Sequence, residues 1–125
     1  MKRGLRPRPK GIIMKIVAKK TEEEDKTSMK MRSFGKLGIQ GSAFGLGCMR
    51  FPMVEKDGKK VVDEENAIRI IRTAIDGGVT YLDTAYVYLG QQSEVVVGKA
   101  LQDGYREKVT IATKLPTWLV ERGAR

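Results

Sequence analysis

Histidine is absent from the 125 residues, and cysteine and tryptophan occur once each. Without imidazole, any proton donor or metal cage must come from other side chains. The lone Cys48 can neither close an internal disulfide nor supply a metal or iron–sulfur cage, so a reducing, cytoplasmic setting is expected. No G-x-G-x-x-G run is present, which removes the phosphate-binding turn of a doubly wound dinucleotide domain. Apolar stretches fall well short of the ~18–20 residues that span a bilayer, so no membrane segment is expected.

The formal charge of +9 is unevenly spread. Residues 1–30 carry ten Lys/Arg against four Asp/Glu, whereas residues 31–125 carry fourteen against eleven. A basic leader binds phosphate without specificity and says nothing of the folded body, so no specific nucleic-acid partner is expected. Its apolar patch, residues 12–18, is interrupted by Lys15 and is too short for a secretory signal; Glu22-Glu23-Glu24-Asp25 argues against a transit peptide. Residues 1–30 are therefore expected to be a disordered or spurious extension. Met29 or Met31 is the expected start of the domain, and residues 31–125 are expected to form the patterned unit.

From Met31 the chain alternates short apolar strands, turns and amphipathic helices. Residues 31–34 and 42–44 flank Gly35-Lys36-Leu37-Gly38 and predict a hairpin, leading to a strand that ends at Gly45-Leu46-Gly47. Pro52, Asp57 and Gly58 mark a linker. Asp63 offers an N-cap, Glu64 and Glu65 suit the positive end of a helix dipole, and Ile68, Ile71, Ala74 and Ile75 keep helical spacing until Gly77-Gly78. Residues 79–83 predict a second strand. Ser93-Glu94 opens a second helix through Val96, Val97, Ala100 and Leu101, and residues 109–113 predict a third strand. A third helix is predicted from Pro116 or Thr117, with Trp118 and Leu119 on its buried face. This strand–helix alternation builds a parallel sheet, and right-handed crossovers make its successive strands neighbours.

Parallel α/β proteins keep their chemistry where strands run out into loops. Asp83 ends the second strand, Lys114 follows the third, and Tyr88 lies five residues past Asp83. Alternation puts Tyr81 with Asp83 on one face, and Thr110 and Ala112 with Lys114 on one face. With strands ~4.8 Å apart, the two charges can meet at one rim. A nearby ammonium favours a phenolate, and a carboxylate holds the ammonium, so Asp83, Tyr88 and Lys114 can make a proton-donating site. Each has a plainer reading. Asp83 would serve as a cap or structural ion-pair partner, Tyr88 as an amphipathic rim residue, and Lys114 as a solvent-facing lysine. Gly45 and Gly47 mark close backbone approach or a simple turn, and Cys48 and Met49 are pocket lining or core.

The segments FGLGCMRFP, GVTYLDTAYVYLGQQSE and VTIATKLP resemble the N-terminal part of an aldo/keto reductase. The family pattern Asp-Thr-Ala-x-x-Tyr, followed by Gly and Ser-Glu, is met by Asp83-Thr84-Ala85-Tyr86-Val87-Tyr88, then Gly90 and Ser93-Glu94. Its strand-three Thr-Lys appears as Thr113-Lys114, and its strand-one Gly-x-Gly as Gly45-Leu46-Gly47. The resemblance covers about residues 31–118. One departure is local: Leu89 separates Tyr88 from Gly90 where many members have Tyr-Gly directly. Tyr86 or Tyr88 can face the substrate, and the spacing of five from Asp83 favours Tyr88.

This resemblance implies a partial (β/α)8 TIM barrel, comprising an N-terminal hairpin, the first three strands and two to three helices. It implies reduction of a small-molecule carbonyl by hydride from NADPH or NADH. Tyr88 would be the general acid, Lys114 the cation that eases loss of its proton, and Asp83 the partner of Lys114. Gly47, Cys48, Met49 and Asp83 would lie near the cofactor. The family's fourth catalytic member is a histidine after the next strand, expected beyond Arg125 with the rest of the barrel. The Gly-Cys-Met-Arg run and KALQDGYREKVTIATKLP further resemble a branch whose longer members often carry a ferredoxin-like iron–sulfur tail, so a cluster is expected only if such a tail exists beyond this chain. Alone, the chain is expected to be inactive. The alternative is a non-catalytic interaction module or a barrel-completing subunit.

Overall fold

A computed structural model describes residues 28–120, so the expected leader, residues 1–30, lies almost entirely outside the described residues. The first described strands, β1 (Met31–Ser33) and β2 (Gln40–Ser42), form the expected antiparallel hairpin. The return strand begins two residues earlier than its apolar pattern suggests, because Phe34 N–H donates to Ile39 C=O at 2.9 Å and closes the loop there. Reciprocal bonds tie the hairpin to the start of a central strand. Ser42 N–H donates to Thr80 Oγ1 at 2.8 Å, and Thr80 N–H donates to Ser42 Oγ at 2.9 Å. The Phe34 ring stands 5.5 Å from that of Tyr81. The hairpin thus covers the N-terminal end of the sheet, opposite the rim where Asp83 emerges.

Three parallel strands make that sheet: β3 (Leu46–Gly47), β6 (Tyr81–Asp83) and β7 (Thr110–Ala112), in the order β3-β6-β7. Their register pairs Gly47 with Asp83 and Asp83 with Ala112, as the crossover argument requires. Both edges stay open, and no closed barrel forms among the described residues.

Residues 53–62 correct the linker reading. They form a second hairpin, β4 (Met53–Lys56) and β5 (Lys59–Val62), turning at Asp57 and Gly58 with φ of 53° and 72°. Paired positive φ at Asp-Gly is the hairpin turn whose twist matches its strands. The signal stood in the sequence, but β4 is exposed throughout and shows no alternation toward a core.

Helix α1 (Glu64–Asp76) follows. Asp63 caps it, its carboxylate accepting from Asn66 N–H and from the Asn66 side-chain amide. That side-chain bond, with the backbone bond behind it, holds the Asp63 carboxyl below its ordinary range. The cap's contribution is therefore complete above the unfolded aspartate value and lost as pH falls through the lowered one. Ala67, Ile71 and Ile75 recur every four residues on the buried face. Gly78 stops the helix at φ 100°, where any side chain would run into Met29.

Helix α2 (Ser93–Ala100) packs on α1, and Ile71, Ile75, Leu82, Val96, Val97 and Leu101 form the centre of the core. Arg72 binds the two helices together, donating to Ala100 C=O at 2.9 Å and pairing with Asp103 at 2.8 Å. The expected third helix is corrected to a single 3₁₀ turn, Thr117–Leu119, in which Trp118 and Leu119 are exposed rather than buried. Helical stability comes mainly from packing an apolar face, and all three residues of this turn are exposed. No helix among the described residues is long and apolar enough to cross a membrane.

Ile71 is fully buried. Replacing it with alanine should cost about 2–5 kcal/mol in a urea titration, the range for truncating a core side chain. A loss below ~1 kcal/mol would show that the α1–α2 core is not assembled as described.

Candidate active site

The rim of the parallel sheet is built by register. Asp83 is the last residue of β6 and is paired with Ala112, so Lys114, two residues beyond Ala112, projects on the same side. Its Nζ lies 2.5 Å from Asp83 Oδ1 and 2.9 Å from Thr84 C=O, and it stands 4.9 Å from the centroid of the Tyr88 ring. One ammonium therefore joins the carboxylate, a strand-exit carbonyl and the phenol. Bonding to Asp83 raises the Lys114 pKa above the ordinary lysine value; partial desolvation opposes this, and interaction with Tyr88 reinforces it. By linkage, the stability this gives is fully present below the ordinary lysine pKa and is lost as pH rises through the raised value. Both partners are about half exposed, so the pair contributes little to folding and its main effect is to place the ammonium.

Tyr88 sits in the turn between β6 and α2, where its N–H donates to Ala85 C=O at 3.2 Å and its C=O accepts from Ser93 N–H at 3.3 Å. Leu89, the residue inserted after it, takes φ 53°, followed by Gly90 at 60° and Gln91 at 70°. Left-handed backbone costs a non-glycine residue roughly 1–2 kcal/mol. The Leu89 side chain offsets this by packing on the core. Tyr86 is exposed, and of the two candidate tyrosines it is Tyr88 that Lys114 stands over.

The residues at the β3 exit divide. Gly47 is exposed, with no atom within 4 Å of where a Cβ would stand, and Met49 is half exposed beside it. Cys48 turns the other way into the core, fully buried. Its N–H donates to Asp83 C=O at 2.7 Å, locking the β3 exit to the β6 exit. Burial pushes the Cys48 thiol up to about 11; the Asp83 carboxylate adds to this, and the Lys114 ammonium works against it. Behind the rim, Thr84 and Ser93 are buried with their hydroxyls 2.8 Å apart. Helical and strand periodicity does not reveal this contact; the cue would have been two small hydroxyl residues at inward-facing positions.

A parallel α/β sheet with helical crossovers and a charged cluster at its C-terminal rim defines a chain of barrel-building type. The aldo/keto reductase family model matches residues 43–125, and the chain belongs to that family. It is 43% identical over 82 residues to probable aldo-keto reductase 1 of Glycine max, which takes in 63% of this chain and 23% of that protein. It is 40% identical over 87 residues to an aldo-keto reductase of Bacillus subtilis (strain 168), covering 69% of this chain and 25% of the other. Among solved structures, an aldo-keto reductase of Bacillus halodurans in its holo form superposes with a TM-score of 0.58 at 37% identity, covering 70% of this chain and 26% of that one. The chain thus spans about a quarter of the length of these relatives.

Because Cys48 is the lone cysteine, 13Cβ labelling gives one resonance whose titration reads its environment. It should titrate near 11. Asp83→Asn removes a repelling anion and should lower that value, whereas Lys114→Met removes an attracting cation and should raise it. A thiol titrating at its ordinary ~8.5, indifferent to both changes, would contradict the geometry.

Proposed function

We propose that this chain carries the proton-donating segment of an NAD(P)H-dependent carbonyl reductase. The observation that supports this is the placement of Lys114, bonded to Asp83 at 2.5 Å and standing over the Tyr88 ring. Tyr88 donates its phenolic proton to the substrate oxygen as that oxygen gains charge. Lys114 stabilises the phenolate left behind, and Asp83 holds Lys114 where it can do so.

The β3 exit suits a flat ring. Gly47 presents open space where a side chain would stand, Met49 offers an exposed apolar surface, and Asp83 lies in register beside Gly47. These residues would hold the nicotinamide end of NADPH or NADH, with Cys48 contributing its backbone rather than its buried thiol. Bound there, the dinucleotide would supply the hydride that reduces the carbonyl carbon. The substrate is a small aldehyde or ketone.

Among the described residues, three parallel strands against the eight of a closed barrel leave most of the wall unbuilt. The chain by itself is therefore inactive and needs the remaining strands to hold substrate and dinucleotide. The purified chain should show no carbonyl-dependent NADPH or NADH oxidation; turnover at ordinary enzyme rates would overturn that part of the proposal. Residues 31–118 grafted onto the remainder of the Bacillus subtilis relative should restore turnover. In that chimera Tyr88→Phe should lower kcat by about 10²–10⁴-fold with little change in KM, while Tyr86→Phe stays within a few-fold. Near-parental turnover by Tyr88→Phe would remove Tyr88 from the acid role.

A further inference from the structure

Three consecutive residues at the start of α2 each reach a different segment around the rim. Gln92 Oε1 accepts from Val62 N–H at 2.9 Å, at the end of the β4–β5 hairpin. Ser93 Oγ donates to Cys48 C=O at 2.6 Å, at the β3 exit, and lies 2.8 Å from Thr84 Oγ1, at the β6 exit. Glu94 Oε1 accepts from Thr113 Oγ1 at 2.5 Å, at the β7 exit and one residue before Lys114. The Ser93 backbone takes part as well, its N–H donating to Tyr88 C=O.

A hydroxyl has one hydrogen. Ser93 gives its own to Cys48 C=O, so Thr84 is the donor in the Thr84–Ser93 pair. Thr84 in turn donates its N–H to Ala112 C=O at 2.8 Å and accepts the Lys114 ammonium on its carbonyl at 2.9 Å. Ser93 is fully buried and Thr84 nearly so. Serine at the mouth of a helix ordinarily turns its oxygen back to cap the first amides. Here it lies at the first helical position and sends its hydroxyl outward, and the capping position, Gln92, makes no side-chain cap bond. Helix capping therefore does not account for these side chains, whereas the three strand exits account for Ser93 and Glu94 and the β4–β5 hairpin for Gln92.

We propose that Ser93-Glu94 is a positioning clamp that fixes the β3, β6 and β7 exits relative to one another and so sets Lys114 against Asp83 and Tyr88, while Gln92 ties the same helix start to the β4–β5 hairpin. Ser93 is its centre, bearing on Tyr88 through the backbone and on Lys114 through Thr84. Glu94 steadies the β7 exit through Thr113. The catalytic meaning of the clamp rests on the function proposed above; its geometry does not.

The test reads Lys114 in the intact chain by 13Cε NMR titration, with the resonance assigned by its loss in Lys114→Arg. In the parent, Lys114 should titrate above the ordinary ~10.4. Ser93→Ala should bring it back to that value, and Ser93→Thr, which keeps the hydroxyl, should not. Thr113→Val should also bring it back while changing little in the core, and it decides the matter if Ser93→Ala fails to fold. Glu94→Gln, which keeps the acceptor and loses the charge, should leave Lys114 raised, separating position from electrostatics. Parental titration of Lys114 in a folded Thr113→Val, together with parental titration in Ser93→Ala wherever that variant folds, would overturn the clamp. The readout involves neither substrate nor dinucleotide, so absence of reductase turnover leaves it standing. Equally, failure of the clamp leaves the acid role of Tyr88 intact.

Discussion

The ion pair between Lys114 and Asp83 is the constraint on which the rim depends. A lysine side chain is long and loses much freedom when held, so it stays in one place only where several acceptors converge. Asp83 Oδ1 and Thr84 C=O converge here, both supplied by the end of one strand, while the lysine comes from the end of its neighbour. The pair contributes little to folding, since both partners are about half exposed. Its consequence is chemical: a fixed positive charge beside a phenol.

That charge is held from below by apolar packing. Leu82 is fully buried between Tyr81 and Asp83, and Ile111, its register partner, packs on the same core. The strand alternation that sends Leu82 inward sends Asp83 to the rim. A slip of one residue would exchange those faces and separate the two charges. Core packing and site geometry are therefore one specification, and the buried Cys48–Ser93–Thr84 contacts extend it from the sheet into α2.

Much of this is legible in the sequence. Asp63, Ile71 and Gly77-Gly78 mark α1 because cap, spacing and stop agree, and the possible meeting of Asp83 and Lys114 follows from strand order, their places at the strand ends and side-chain alternation taken together. The β4–β5 hairpin is less legible, although Asp57-Gly58 announces its turn, because β4 faces solvent and neither strand carries an alternating apolar signal. Trp118 and Leu119 were expected to be buried on the strength of their composition, but burial needs a neighbour, and the sequence does not say whether one is there. Ser93 read as the opening of a helix because serine is common at that position; which way its hydroxyl turns is decided by contacts 9 and 45 residues away. Local patterns reveal elements and their order, whereas long-range hydrogen bonds between small polar groups leave no periodic trace.

Lys114 is held over the Tyr88 ring while bonded to Asp83. Nuclear Overhauser contacts between the Lys114 ε-methylene protons and the Tyr88 ring protons test it most directly, together with the ring-current shift those methylene protons should feel. Clear cross-peaks are expected, with an upfield ε-methylene shift that relaxes to the ordinary lysine position in Asp83→Asn. Absent cross-peaks in the folded chain, with Lys114 resonating like any solvent-exposed lysine, would contradict it.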